Sequence, residues 1–269
     1  MQPSIHQSLQ RIGAVLLRYL FLLRSSWPRL IELAFWPTLE MIIWGFTSRY
    51  FSQHTDNIAY TAGVLIAGAL LWDFLIRSQI GVSMSFLEEL WSRNLGHLFI
   101  SPLRPWEWMV ALIASSVMRV LVSVVPAVLL AIVFYHYNLF SLGLPLIGFV
   151  GCLLVMGWWF GFMVISVILR FGTGAEVLAW MMIYAIAPIS AVFYPIAILP
   201  PWLQAIAFIL PSSHIFEGMR AIVIHGYFDA AQMAWAVGLN IIYLFIGIFV
   251  LWFSLQNARQ RGAILVVGE

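Results

Sequence analysis

Lysine is missing from this chain, whose thirteen basic residues are all arginine. Without lysine there is no Walker A lysine for a P-loop and no Schiff-base nucleophile, so the chain is not its own P-loop ATPase. Charge of either sign is scarce: 9% of residues are charged, against roughly a quarter in soluble proteins. Cys152 is the only cysteine, which excludes an internal disulfide and a cysteine metal site; in its apolar run it reads as a small buried residue. The net charge of +2 is too small to suggest a nucleic-acid partner. No HExxH or GxSxG and no convergent Asp/His set is present, which ranks an intramembrane enzyme last. What remains is apolar, with 63% hydrophobic residues and a mean hydropathy of +0.97. The expected class is an all-α polytopic membrane protein.

A bilayer core of about 30 Å asks for roughly 20 helical residues. Apolar runs of that length predict six spans near 31–51, 60–80, 108–135, 144–169, 176–197 and 233–255. Ahead of them, residues 1–29 read as an amphipathic interfacial helix. Leu9, Ile12, Leu16, Leu20 and Leu23 share one face, and Gln7, Arg11, Arg18 and Ser25 the other. Arg18 interrupts the run from Ile12 to Leu23, which argues against a signal peptide. Arg11, Arg18, Arg24 and Arg29 precede the first span, Arg77, Arg93 and Arg104 lie in or beside the second connection, and Arg170, Arg259 and Arg261 follow the fourth and last spans. The loops near 52–59 and 135–143 hold no arginine, so the positive-inside rule puts both termini, including a tail over 259–269, in the cytoplasm.

Residues 193–226 are apolar but cut by Pro195, Pro200, Pro201 and Pro211 into pieces too short to cross. A re-entrant hairpin over 198–228 before the last span keeps Arg259 and Arg261 on the arginine-rich side, and such broken backbone survives only where protein or a wet cavity satisfies it. It reads as an external gate containing Pro200, Pro201, Trp202, Pro211, Glu217 and Arg220, the last two at i,i+3 spacing for an ion pair. His214 and His225 lie in the same stretch without metal-site spacing, so no metal is expected.

The large cytoplasmic connection, 81–106, has the character of a docking segment. Phe86, Leu87, Leu90 and Trp91 form an apolar face at helical spacing, with Glu88, Glu89 and Arg93 as a charged rim, before Pro102 and Pro105 stop the helix. A plain interfacial connector fits the periodicity equally well. Within the spans, Glu40, Asp73 and Arg119 are costly unless paired. The expectation is a strut from Arg119 to Glu40 or Asp73, with Asp73 and Arg77 able to pair at i,i+4, and contact with a polar substrate group as the alternative. Gly157 and Gly161 allow close helix packing, a dimer seam included.

Three stretches together resemble the permease subunits of type-2 ATP-binding-cassette transporters, mostly exporters: FLEELWSRNLGHLFISPLRPWEW over 86–108, FYPIAILPPWLQAIAFILP over 193–211, and PSSHIFEGMRAIVIHG over 211–226. The resemblance implies a bacterial cytoplasmic (inner) membrane protein of six spans, 30–258, acting as a permease homodimer with two separate ATPase subunits among membrane lipids. It implies no cofactor in this chain, Mg-ATP being held by the partner. Phe86, Leu87, Glu88, Glu89, Leu90, Trp91 and Arg93 would then couple to the ATPase, and 200–226 would form the external gate. Drugs, lipids and lipid-linked glycans are the substrate classes it implies; the few uncompensated polar groups in the spans favour a hydrophobic or amphiphilic one. The alternative is a stand-alone secondary transporter or channel. Against it, the clear helix break occurs only near the carboxyl end, without the matching break of an inverted repeat.

Overall fold

A computed structural model describes residues 5–54 and 59–260 of the chain. The expected tail beyond Gln260, Arg261 among it, lies outside the described residues. Those described form α1 (Ile5–Arg24), α2 (Trp27–His54), α3 (Ala59–Trp91), α4 (Leu95–Ile100), α5 (Pro105–Tyr135), α6 (Pro145–Phe171), α7 (Glu176–Ile186), α8 (Pro201–Phe208), α9 (Pro211–His225) and α10 (Ala230–Gln260). No strand occurs among the described residues. Five helices, α2, α3, α5, α6 and α10, are long and apolar enough to cross a bilayer, and α8 with α9 make a sixth only if the pair, bent by 96°, is one broken span.

α3 lies at the centre, packed on α2, α5, α6 and α9, and α10 closes on α6 and α9. Small residues permit this. A side chain at Gly157 of α6 would begin 2.5 Å from the Cβ of Ser78, one at Gly161 would begin 2.8 Å from Val82, and one at Gly81 of α3 would meet the Ser116 backbone at 2.9 Å. The freed space is used for hydrogen bonds. Ser78 donates to the Leu154 carbonyl at 2.9 Å, Ser116 donates to the Ser78 carbonyl at 2.8 Å, and Ser85 and Ser115 join at 2.8 Å. In a hydrocarbon solvent, close backbone approach and such bonds hold helices together, since lipid is as apolar as leucine. The Gly157-x-x-x-Gly161 face is therefore spent within the chain, on α3. Gly157→Val is expected to overpack this contact and cost about 1–3 kcal/mol, read as a lower unfolding temperature in detergent, whereas Gly151→Val, with nothing within 4 Å of the added Cβ, leaves it unchanged.

Two expectations need correction. The fifth predicted span, 176–197, is not one helix: α7 has 11 residues, about 16 Å of rise. The chain then turns at 187–195, where Ala191 takes a left-handed φ of 52°. The backbone freed by this break is satisfied by protein, as described below. The second correction concerns α1, whose polar face turns inward. Arg11 and Arg18 reach carboxylates of α5 and α3, and Tyr19 is buried. Leu9, Leu17, Leu20 and Phe21 point outward and are free to meet lipid, while Leu23 of the expected leucine face is buried.

Candidate coupling and gate sites

At the arginine-rich end, α3 does not stop at residue 80 but runs on as one helix to Trp91. It ends in a tight cap. Arg93 sits at φ 53°, its N–H donates to the Leu90 carbonyl, and the Asn94 N–H reaches back to the Glu89 carbonyl at 2.9 Å. That is a Schellman closure with arginine in the place usually taken by glycine. The short α4 follows, anchored by buried Leu95 and Leu98, and Pro105 opens α5 with Glu107 accepting the Arg104 N–H at 2.9 Å.

Continuity of α3 changes the role of the expected docking residues. Phe86, Leu87 and Leu90 are buried in the core, and Glu88 and Glu89 face inward instead of forming a solvated rim. Glu88 receives Arg119 of α5 at 2.7 Å and Arg29 of α2 at 3.4 Å. Glu89 receives Arg18 of α1 at 3.0 Å and the Asn94 amide at 2.6 Å, and Glu107 receives Arg11 of α1 at 3.4 Å. Three carboxylates thus tie four helices to the root of the α3–α4 turn. Beside them the Trp108 indole donates to the Tyr19 hydroxyl at 3.3 Å; burial first, and the charge of Glu89 second, push that hydroxyl's pKa above its ordinary value. Only Trp91 and Arg93 of the expected set stay exposed, joined by His97, Ile100, Arg104 and Trp106.

The expected strut from Arg119 to Glu40 or Asp73 is not formed, because Arg119 is taken by Glu88. Asp73 instead stands 3.6 Å from Arg77, as the i,i+4 alternative allowed.

The opposite end carries the broken segment. Pro201 and Pro211 each occupy the first turn of a helix, α8 and α9, where proline's missing N–H costs nothing. Gly226 ends α9 at φ 71°. α9 is buried along most of its length, whereas Pro200, Pro201 and Trp202 are exposed. Glu217 and Arg220 pair at 2.9 Å and together hold the turn after α7. The Ile196 N–H donates to Glu217 at 2.7 Å, and Arg220 donates to the carbonyl of Ala191 at 2.7 Å and to that of Val192 at 3.3 Å. Ser190 and Ser212 add a bond of 2.7 Å, and His214 bridges the Phe208 carbonyl and Gln232 at 2.9 and 2.6 Å. Unwound backbone at membrane depth is thereby satisfied by fixed side chains.

A bundle of long apolar helices, with a buried ionic root under an exposed turn at one end and a proline-broken hairpin at the other, fits a known family. Residues 42–255 match the ABC-2 family transporter proteins. The chain belongs to that family. No match to a curated protein was found. As an ABC-2 member the chain is a multi-pass membrane protein, the permease part of an ATP-binding-cassette transporter, and not itself catalytic. Membership also implies association with ATPase subunits. The residues of the ionic cluster at this end that the sequence did not single out as partners are Arg11, Arg18, Arg29 and Glu107; a lone arginine on a helix carries no mark of its partner.

Proposed function

We propose that this chain is the membrane subunit of an ATP-driven exporter in the bacterial cytoplasmic membrane, working as a homodimer with two separate ATPases that hold Mg-ATP. Both termini are cytoplasmic, and the substrate is hydrophobic or amphiphilic. The observation that carries the reading is the exposed tip Trp91, Arg93, His97 and Ile100, mounted on the buried Glu88, Glu89 and Glu107 pairs. A partner pushing on this tip moves α3 directly, and the ion pairs pass the motion to α1, α2 and α5. Force entering the tip reaches the gate because α9 packs on α3. In this reading, 198–228 forms the external gate, with α8 exposed and α9 fixed by Glu217 and Arg220.

The test is co-purification with the ATPase encoded beside the gene, and its turnover in lipid. The exposed substitutions Arg93→Glu with Ile100→Asp are expected to reduce ATPase capture at least tenfold without lowering the unfolding temperature of the permease. Capture unaffected by them, or no ATPase bound by wild type in any lipid, overturns the exporter reading and leaves a stand-alone channel or secondary transporter.

A further inference from the structure

Halfway along the bundle, two carboxylates face one guanidinium. Glu40 lies 14 residues before His54, the last residue of α2, and Asp73 lies 14 residues after Ala59, the first of α3. At ~1.5 Å per residue both sit about 21 Å from the same end of the bundle, near the middle of a bilayer. Asp73 and Arg77 are buried to 1% and 6% exposure. Their closest approach, 3.6 Å, is too long for a hydrogen bond, and Asp73 Oδ1 with Arg77 Nε and Nη2 have no hydrogen-bond partner. Arg77 balances one carboxylate. Glu40 has no ion-pair partner within 4.0 Å among the described residues, is only half-buried, and so opens the cluster to one side of α2.

That side is aromatic. Trp44, one turn along α2 from Glu40, stacks on Phe193 with ring centroids 3.9 Å apart and planes at 24°. Tyr184 of the short α7 lies within electrostatic range of Glu40, Asp73 and Arg77 together and is half exposed. Phe193 follows the two carbonyls that Arg220 holds, so the stack joins the Glu40 side of α2 to the start of the broken segment. A second carboxylate in hydrocarbon is costly when ionised and is relieved either by a proton or by a counter-charge, and ring faces beside a carboxylate favour a weakly hydrated cation as that counter-charge.

We propose that Glu40, Asp73 and Arg77, with Trp44, Phe193 and Tyr184, form an intramembrane site for the positive group of a monocationic amphiphile. The site deepens the permease reading, on which it rests, by giving the transported class a charge. Glu40 supplies the attraction, Asp73 is held in place beside Arg77, and the open hydrogen-bonding atoms of that pair accept a neighbouring polar group of the same ligand. The aromatic stack links the site to the turn that precedes the α8–α9 gate.

The experiment uses the full-length chain in nanodiscs of zwitterionic phosphatidylcholine, without an ATPase, and the shape-matched probes tetraphenylphosphonium and tetraphenylborate. Saturable tetraphenylphosphonium binding above that of empty nanodiscs is expected, weakened at least tenfold by Glu40→Gln and partly retained in Glu40→Asp. No saturable tetraphenylborate binding is expected. Glu40 is only partly buried and has no ion-pair partner within 4.0 Å among the described residues, and an unchanged unfolding temperature checks that its variants keep the fold. Tetraphenylborate bound in place of the phosphonium, through the open donors of Arg77, overturns the proposal, and so does phosphonium binding indifferent to Glu40→Gln. Because no ATPase takes part, binding here together with failed ATPase capture would sink the exporter reading and leave the site standing.

Discussion

Charge reversal at Glu88 is expected to cost this permease its fold rather than its partner. Glu88→Arg sets a third guanidinium against Arg119 and Arg29. Arg119, buried among α2, α3 and α5, is left without its carboxylate, and breaking a buried pair by removing one partner costs about 3–5 kcal/mol. Added repulsion makes that a lower bound. Thermal unfolding followed by size-exclusion fluorescence in detergent should show aggregation or a large fall in the transition temperature. Arg29→Gln, by contrast, removes a half-exposed partner at 3.4 Å, and such pairs are worth about 1 kcal/mol or less. A Glu88→Arg protein that stays monodisperse with an unshifted transition would mean that the ionic root does not hold α3 to α5.

The second large effect belongs to the broken segment. Arg220→Met keeps much of the side-chain volume but withdraws the donor from the buried carbonyls of Ala191 and Val192, and the counter-charge from Glu217. Hydrogen bonds to a charged group contribute about 1.5–3 kcal/mol each, and roughly 1.4 kcal/mol is a tenfold change in an opening equilibrium. Opening of the turn at 191–196 should therefore rise at least tenfold. A cysteine at buried Ile196, introduced with Cys152→Ala so that it stands alone, reports this by its rate of labelling with a membrane-impermeant maleimide. Equal rates with and without Arg220→Met would show that Glu217 and Arg220 do not close this turn. The strain stored at Ala191 points the same way: a non-glycine residue held at φ 52° persists only where its surroundings over-determine it.

Much of this architecture is legible in local chemistry. Proline fixes φ and lacks an N–H wherever it occurs, so Pro200, Pro201 and Pro211 announce the break and its helix starts. The pairing of Glu217 with Arg220 follows from i,i+3 geometry, and that of Asp73 with Arg77 from i,i+4. Gly157 and Gly161 announce a close helix contact, but not that α3 is the helix contacted. Failure came where a local pattern had two continuations. The 176–197 run reads as one apolar span, yet α7 ends at Ile186, just ahead of Pro188, which has no N–H to continue the helix and disfavours helical backbone before it. What the linear reading could not supply is Arg220, 29 positions beyond Ala191, which holds the carbonyls of the turn that follows. Glu88 and Glu89 looked like a solvated rim because helical periodicity locates a face without saying what covers it.

Sequence by itself determined the solvent this protein requires, the places of the five long helices though not the full length of α3, the place where one segment cannot be a straight span, and the lack of a P-loop lysine. The first three follow from side-chain transfer energy or backbone stereochemistry, which act on a residue and its near neighbours. Tertiary structure alone decided which arginine meets which carboxylate. Arg11, Arg18, Arg29 and Arg119 are chemically equivalent in a linear reading, and all could pair with any acid. Their partners are 31 to 96 positions away, and only the packing of α1, α2 and α5 on α3 brings each guanidinium within reach of one particular carboxylate.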